Sequence, residues 1–170
     1  MYKSKIKILL IYFFVMCGSF FAHAQEVDQS LSSLKGIKKL GVIVEKFNTD
    51  LESKGVSEDG IRRETWTLLK KAGIKVIPVS ETHKIHGSPY LYINVGAIKS
   101  KQEDLYAVSI HVELRQNVIL SRDTTMEYYG IPTWSNSNIG IISTDKLKQI
   151  SNFVMNAVKI FINDYKTIND

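Results

Sequence analysis

The sequence predicts an α/β protein. The fold class is a two-layer sandwich: a mixed, mostly antiparallel sheet of about five strands with two helices on one face, in the order β-α-β-β-β-β-α. Three observations predict it. Residues 39–79 hold a β-branched run, a capped amphipathic stretch and a second short apolar run. Residues 88–120 hold two stretches in which apolar and polar residues alternate strictly, separated by a short polar turn. Residues 143–165 carry an apolar stripe at helical spacing. Strand, helix and strand make a right-handed crossover when the strands are parallel neighbours. Two alternating stretches across a short turn make an antiparallel hairpin.

The elements follow in chain order. Residues 25–36, QEVDQSLSSLKG, form a polar, Ser-rich lead-in, and a single domain occupies 37–168. KLGVIVEKF at 39–47 fits a buried strand. NTDLESKGVSEDG is a polar loop. Ser57 then caps a helix with acids in its first turn; Ile61, Thr65, Leu68 and Ala72 share one face, Lys70 and Lys71 lie near the end, and Gly73 stops it. IKVIPV is a short second strand.

The hairpin's register follows from its alternation. Pairing residues whose numbers sum to 205 sets Leu91, Ile93, Val95 and Ala97 beside Leu114, Val112, Ile110 and Val108. A one-residue slip would put His111, Glu113 and Arg115 on the apolar face, so the core selects this pairing. The opposite face then carries Tyr90, Tyr92 and Asn94 beside Arg115, Glu113 and His111. TTMEYYG supplies the last strand. A three-residue turn at 121–123 pairs residues that sum to 244, placing Met126 and Tyr128 on the core face and Tyr129 next to Arg115. Gly130 and Pro132 then break this strand at a sheet edge, so alternation leaves Trp134 open between capping the end of the core, the preferred reading, and standing exposed as an anchor, and the Ser/Asn tract turns into the final helix. Ser143 or Thr144 caps that helix, and its stripe is Leu147, Ile150, Val154, Ala157, Phe161 and Tyr165.

The 170 residues suit one domain plus a targeting segment. A basic start, the apolar stretch ILLIYFFVMCGSFFAHAQ and the small-x-small site Ala22-His23-Ala24 read as a signal peptide over residues 1–24, cleaved after Ala24. The competing reading is a retained anchor, but a span needs roughly 20 apolar residues and this run is interrupted. Met16 stands before Cys17, where lipoprotein processing wants a small residue, so Cys17 is assigned to the discarded segment. The exported chain then has no cysteine: no disulfide, no thiol nucleophile and no thiolate metal site. Lys3, Lys5 and Lys7 leave as well, so 22 basic residues become 19 against 17 acidic, and a net charge of +5 falls to +2. The concentrated basic surface that nucleic acid requires is absent from this pattern.

PYLYINV, YAVSIHVELRQNVIL and TWS resemble a family of short, uncharacterised exported bacterial proteins, over about residues 37–165. The element order is similar to the amino-terminal α/β domain of the Tol-system β-propeller protein, and to related parts of curli-secretion lipoproteins. The resemblance implies an interaction module located in the cell envelope, and it transfers no catalytic residue.

The candidate site is the polar face of the sheet, with partner-binding candidates Tyr90, Tyr92, Asn94, His111, Glu113, Arg115 and Tyr129, together with Trp134 in the loop beyond. Tyr and Arg are enriched at interface hot spots, and Arg115 between Tyr90 and Tyr129 permits cation–π stacking. On an ordinary solvent-facing sheet the same pairs would only stabilise strand pairing. Ser109, His111 and Glu113 can be written as a Ser–His–Glu group, yet on one flat strand nothing builds an oxyanion pocket. His83 and His86, with Glu81 nearby, lack the third ligand a metal needs. Trp66 packs at the edge of the core, off the main helical stripe.

The reading is a non-catalytic periplasmic or envelope binding or assembly module. It has no cofactor and no metal. Its partner is another envelope protein, with no nucleic acid and no membrane span in the processed form. One alternative is a small periplasmic hydrolase or metal protein using His111 and Glu113, or His83 and His86. The other is a structural envelope protein that self-associates through an exposed sheet edge.

Overall fold

In the computed structural model, which describes residues 29–47 and 49–169, five strands form one open, mixed sheet. The signal peptide and its cleavage after Ala24 lie outside the described residues. The strands are β1 (Lys39–Val44), β2 (Lys75–Val76), β3 (Tyr90–Lys99), β4 (Leu105–Leu120) and β5 (Asp123–Ser143). Their order across the sheet is β2-β1-β3-β4-β5. β1 runs parallel to β2 and β3, and the β3-β4-β5 part is antiparallel. The helices are α1 (Gln29–Ser32), α2 (Thr49–Ser53), α3 (Glu58–Lys71) and α4 (Ile150–Asn169). Among the described residues no helix is long and apolar enough to cross a membrane.

The expected β3–β4 register is the one observed: Leu91 pairs with Leu114, Ile93 with Val112, Val95 with Ile110 and Ala97 with Val108. These eight side chains are buried. Leu40, Val42 and Val44 of β1 extend the same surface, and α3 and α4 pack on it and on each other. The α3 boundary follows its caps. Ser57 Oγ accepts from Gly60 N–H at 3.1 Å, and Gly73 ends the helix with φ +84°. Its buried face is Ile61, Thr65 and Leu69, while Leu68 and Ala72, expected on the stripe, are half-buried. The α4 stripe buries Ile150, Val154, Ala157 and Phe161, and a 3-10 turn over Thr144–Gln149, with buried Leu147, precedes it.

Two crossovers pass on opposite faces of the sheet. The step from β1 to β2 goes through α3 on the core side. The return from β2 to β3 goes through a 3-10 helix, Val79–Lys84, on the other side of β1. There Gly41 lies under it: an added Cβ would come within 2.9 Å of Thr82 Cγ2 and 3.2 Å of Val79 Cγ2. Steps in opposite directions must use opposite faces if both are to keep the right-handed sense. β2 is accordingly short. Pro78 cannot extend the ladder, so the run IKVIPV keeps only Lys75–Val76 as strand before the chain turns away.

Three expectations are corrected. First, there are more helices than two, because apolar residues inside polar-looking stretches are used. Leu34 after α1, and Leu51 and Val56 around α2, are completely buried. Second, β5 does not pair in the 244 register. Val118 pairs with Tyr128, Gln116 with Ile131 and Leu114 with Trp134, with irregularities between Leu114/Arg115, Gln116/Val118 and Ile119/Leu120. The first two irregularities each add one residue to β5 and the third leaves Thr124, Thr125 and Met126 without a partner on β4, which a strict alternation does not anticipate. Met126, expected in the core, is therefore exposed, and Tyr128 is half-buried. Third, β5 does not end near Gly130. It continues to Ser143, so the Ser/Asn tract is strand and not a turn. Pro132 is tolerated because β5 is the sheet edge.

Two substitutions on α3 are expected to act with opposite signs. Ser57→Ala removes a cap and lowers stability by about 1 kcal/mol. Thr65 Oγ1 is buried and finds no hydrogen-bond partner among the described residues, so Thr65→Val, which removes an unsatisfied hydroxyl, raises stability by about 1 kcal/mol. Urea unfolding of the two variants checks both signs.

Candidate binding surface on the outer sheet face

The side of the sheet away from α3 and α4 is set by the same register. Tyr90 stands opposite Arg115, Tyr92 opposite Glu113, and Asn94 opposite His111. Arg115 Nε donates to Glu113 Oε2 at 2.8 Å. The guanidinium carbon lies 3.8 Å from the centre of the Tyr92 ring. The stacking partner is thus Tyr92, the diagonal neighbour, and not Tyr90 and Tyr129 as expected; long side chains reach diagonal positions in a twisted sheet. Burial pulls the Arg115 guanidinium pKa down, but the hydrogen bond and charge of Glu113, with help from Tyr90, outweigh it and hold the group above the usual arginine value. A guanidinium stays protonated in proteins in any case, so the cation is permanent.

Glu45, just past β1, joins this cluster. The Tyr92 hydroxyl and the Asn94 amide both donate to its carboxylate. At the other side His111 Nδ1 meets Ser137 Oγ of β5 at 2.9 Å. Glu45 and Ser137 were absent from the expected set. Finding them required knowing that β1 lies beside β3, and that β5 continues past Pro132. The strand parity of Glu45, two positions after outward-facing Ile43, was the available signal.

Two candidates leave the cluster. Tyr129 is 73% exposed, but it sits in the bulge, where Asn117 opposes both it and Gly130, so Arg115 pairs with Pro132 instead. Gly130 has φ +63°, and the Tyr90 hydroxyl lies over it, 2.7 Å from where a Cβ would be; both facts require glycine. Trp134 is corrected as a partner-binding residue. It is 3% exposed, stacks edge-on against Phe161 with ring centres 5.2 Å apart, and donates from Nε1 to Asp164 Oδ2 at 2.9 Å. It closes the end of the core.

The residues of the enzymatic alternatives are engaged separately. Glu113 holds Arg115, His111 meets Ser137, and the Ser109 hydroxyl stands against Gly96, 2.6 Å from where a Cβ would be. His83 and His86 lie exposed around the 3-10 crossover. Among the described residues no three His, Cys, Asp or Glu side chains group closely enough to hold a metal.

The opposite end of this face is apolar. Ile98 pairs with Ala107, which pairs with Ile141, and Ile139 is next along β5. Ile98, Ile139 and Ile141 are 76%, 85% and 76% exposed. On the core side of β5 a groove of about 310 Å³ opens between the strand and α4, walled by Val108, Ile110 and Ala157 and lipped by Phe153 and Ile160. It exists because inward positions of β5 hold Asn138 and Gly140. Around Gly140 an added Cβ would meet nothing within 4 Å.

No family model matches the chain, and no curated protein matches it. Solved structures of PelC dodecamers from Paraburkholderia phytofirmans do. One, a point variant, shares 13% identity at a TM-score of 0.43, covering 77% of this chain and 89% of that one. The other shares 13% at 0.43, covering 76% and 87%. These findings overturn the resemblance to the short exported family and to the Tol-system domain: no family model supports either, and the structural likeness found is to PelC. A likeness at this level carries no functional inference.

Two measurements probe the surface. A double-mutant cycle on Tyr92→Leu and Arg115→Met is expected to give a coupling of about 0.5–2 kcal/mol, the range from exposed to desolvated cation–π pairs, since this pair is half-buried. Trp134→Ala is expected to cost about 3–5 kcal/mol in unfolding free energy, as for other buried aromatics.

Proposed function

We propose that the chain is a non-catalytic binding or assembly module of the cell envelope, exported by its amino-terminal segment, and that it docks another envelope protein on the outer face of its sheet. The observation that carries this reading is the stack of Arg115 on Tyr92, clamped by Glu113, with Tyr92 and Asn94 tied to Glu45. Neither long helix covers this cluster. Its side chains are held before any partner arrives, which reduces the ordering entropy lost on binding. Arg and Tyr are also the residue types in which binding energy concentrates.

The test is in-cell crosslinking of the exported chain, read by mass spectrometry, for wild type and Arg115→Ala/Tyr92→Ala. Loss of one specific partner by tenfold or more, with the fold retained, is the expected result. If every crosslinked partner survives while thermal stability drops, the cluster is a strand-pairing device and the docking reading fails.

A further inference from the structure

We propose that two copies of this chain pair edge to edge through the second half of β5, around a two-fold axis at Gly140, to make one continuous sheet. The outer-face reading above is independent of this.

Ser100 N–H bonds Leu105 O at 2.8 Å, and Thr144 N–H bonds Asp104 O at 3.2 Å. In an antiparallel sheet successive residues turn their N–H and C=O to opposite sides. The even-numbered residues of β4 therefore face β5. Through the regular pairing of Leu105–Leu114 with Ser143–Trp134, the even-numbered residues of β5 face back. Ser135, Ser137, Ile139, Ile141 and Ser143 turn their N–H and C=O outward, and β5 is the last strand of the sheet. The Thr133 carbonyl accepts from Ser33 Oγ at 3.0 Å, so the turn after α1 closes the edge there. Beyond it, no bond to the outward backbone groups of 135–143 comes from any described residue.

Proteins normally protect such an edge with charge, proline or a bulge. In β5 every such device lies in the first half: the three irregularities, Pro132 and Glu127. From Gly130 to Thr144 there is no charged residue, and from Trp134 to Ser143 the pairing is regular. An unguarded edge calls for a strand, and this strand complements itself. A two-fold axis at Gly140 sets Ile139 of each copy opposite Ile141 of the other, a pair in which outward groups exchange both bonds. It repeats this with Ser137 and Ser143. Two Ile–Ile pairs then cover each other on the outer face, beside the two Ile98 side chains. On the inner face the two Gly140 residues meet, so the apolar grooves face one another and bring Phe153 and Ile160 of both α4 helices toward the seam. No like charges are apposed along the strand. The flanking apolar surfaces extend a strand pairing toward the roughly 1,200–2,000 Å² that specific interfaces bury.

Sedimentation of the chain as purified from cells tests this, with near-UV circular dichroism to verify folding. Wild type is expected to be a dimer. Ile139→Lys/Ile141→Lys, at positions already exposed, is expected to halve the mass. Ile139→Lys/Ile141→Glu is expected to restore it, because this axis places each introduced lysine opposite an introduced glutamate, whereas an axis at 139 or 141 would oppose like charges. Amide exchange at residues 137, 139 and 141 is expected to accelerate on dilution. Four results would overturn the proposal: a wild-type monomer at the highest soluble concentration, a folded Lys/Lys dimer, a Lys/Glu monomer, or exchange protection unaffected by dilution. The last would mean that the chain's own preceding segment covers the edge. None of these variants touches Arg115 or Tyr92, so failure here leaves the outer-face reading intact.

Discussion

The pairing of β3 with β4 is the constraint on which the rest of the molecule depends. Ten residue pairs in one register put an unbroken apolar surface on one side and every polar candidate on the other. Because the side-chain period of a strand is two, a slip of one residue would exchange the faces and bury Glu113 and Arg115. That penalty holds the register, and the register in turn tells α3 and α4 where to pack. It also delivers Arg115 to Tyr92.

From this hairpin the sheet grows differently in its two directions. Toward β1 and β2 it is parallel, short and buried beneath a crossover on each face. Toward β5 it is antiparallel, long and open. The first direction builds the core around Leu40, Val42 and Val44. The second sends a 21-residue strand along the edge, whose bulges bend one half while the other half stays regular. Trp134 marks the boundary: its ring packs on Phe161 and its Nε1 is held by Asp164. Past that anchor β5 places Asn136, Asn138 and Gly140 inward before Ile142 packs on the core, while Ile139 and Ile141 stand exposed on the outer side.

The outer face thus has two chemistries. One end is a tied set of aromatic, cationic and carboxylate groups; the other is bare isoleucine. The preorganised polar cluster and the apolar strip lie on one face, beside the free edge of β5. His111 meets Ser137, Glu113 holds Arg115, and the Ser109 hydroxyl stands against Gly96.

Local pattern carried much of this. The alternation of 90–99 against 105–114 determined the hairpin, its register and which six side chains share the polar face. Ser57 and Gly73 determined where α3 starts and stops, and the stripe from Leu147 to Phe161 determined the face of the last helix. These are short-range consequences of periods of 2 and 3.6 and of backbone groups that need capping. What the tertiary structure alone decided is non-local. Glu45 meets Tyr92 only because β1 lies beside β3, and strand order leaves no mark on a strand's own alternation. The bulges that carry Tyr129 away from Arg115 depend on how β5 fits β4. The Ser/Asn tract looks like a turn, and it is strand because β4 is long enough to pair with it. Trp134 is buried because α4 arrives across it with Phe161 and Asp164, residues 27 and 30 positions further along the chain.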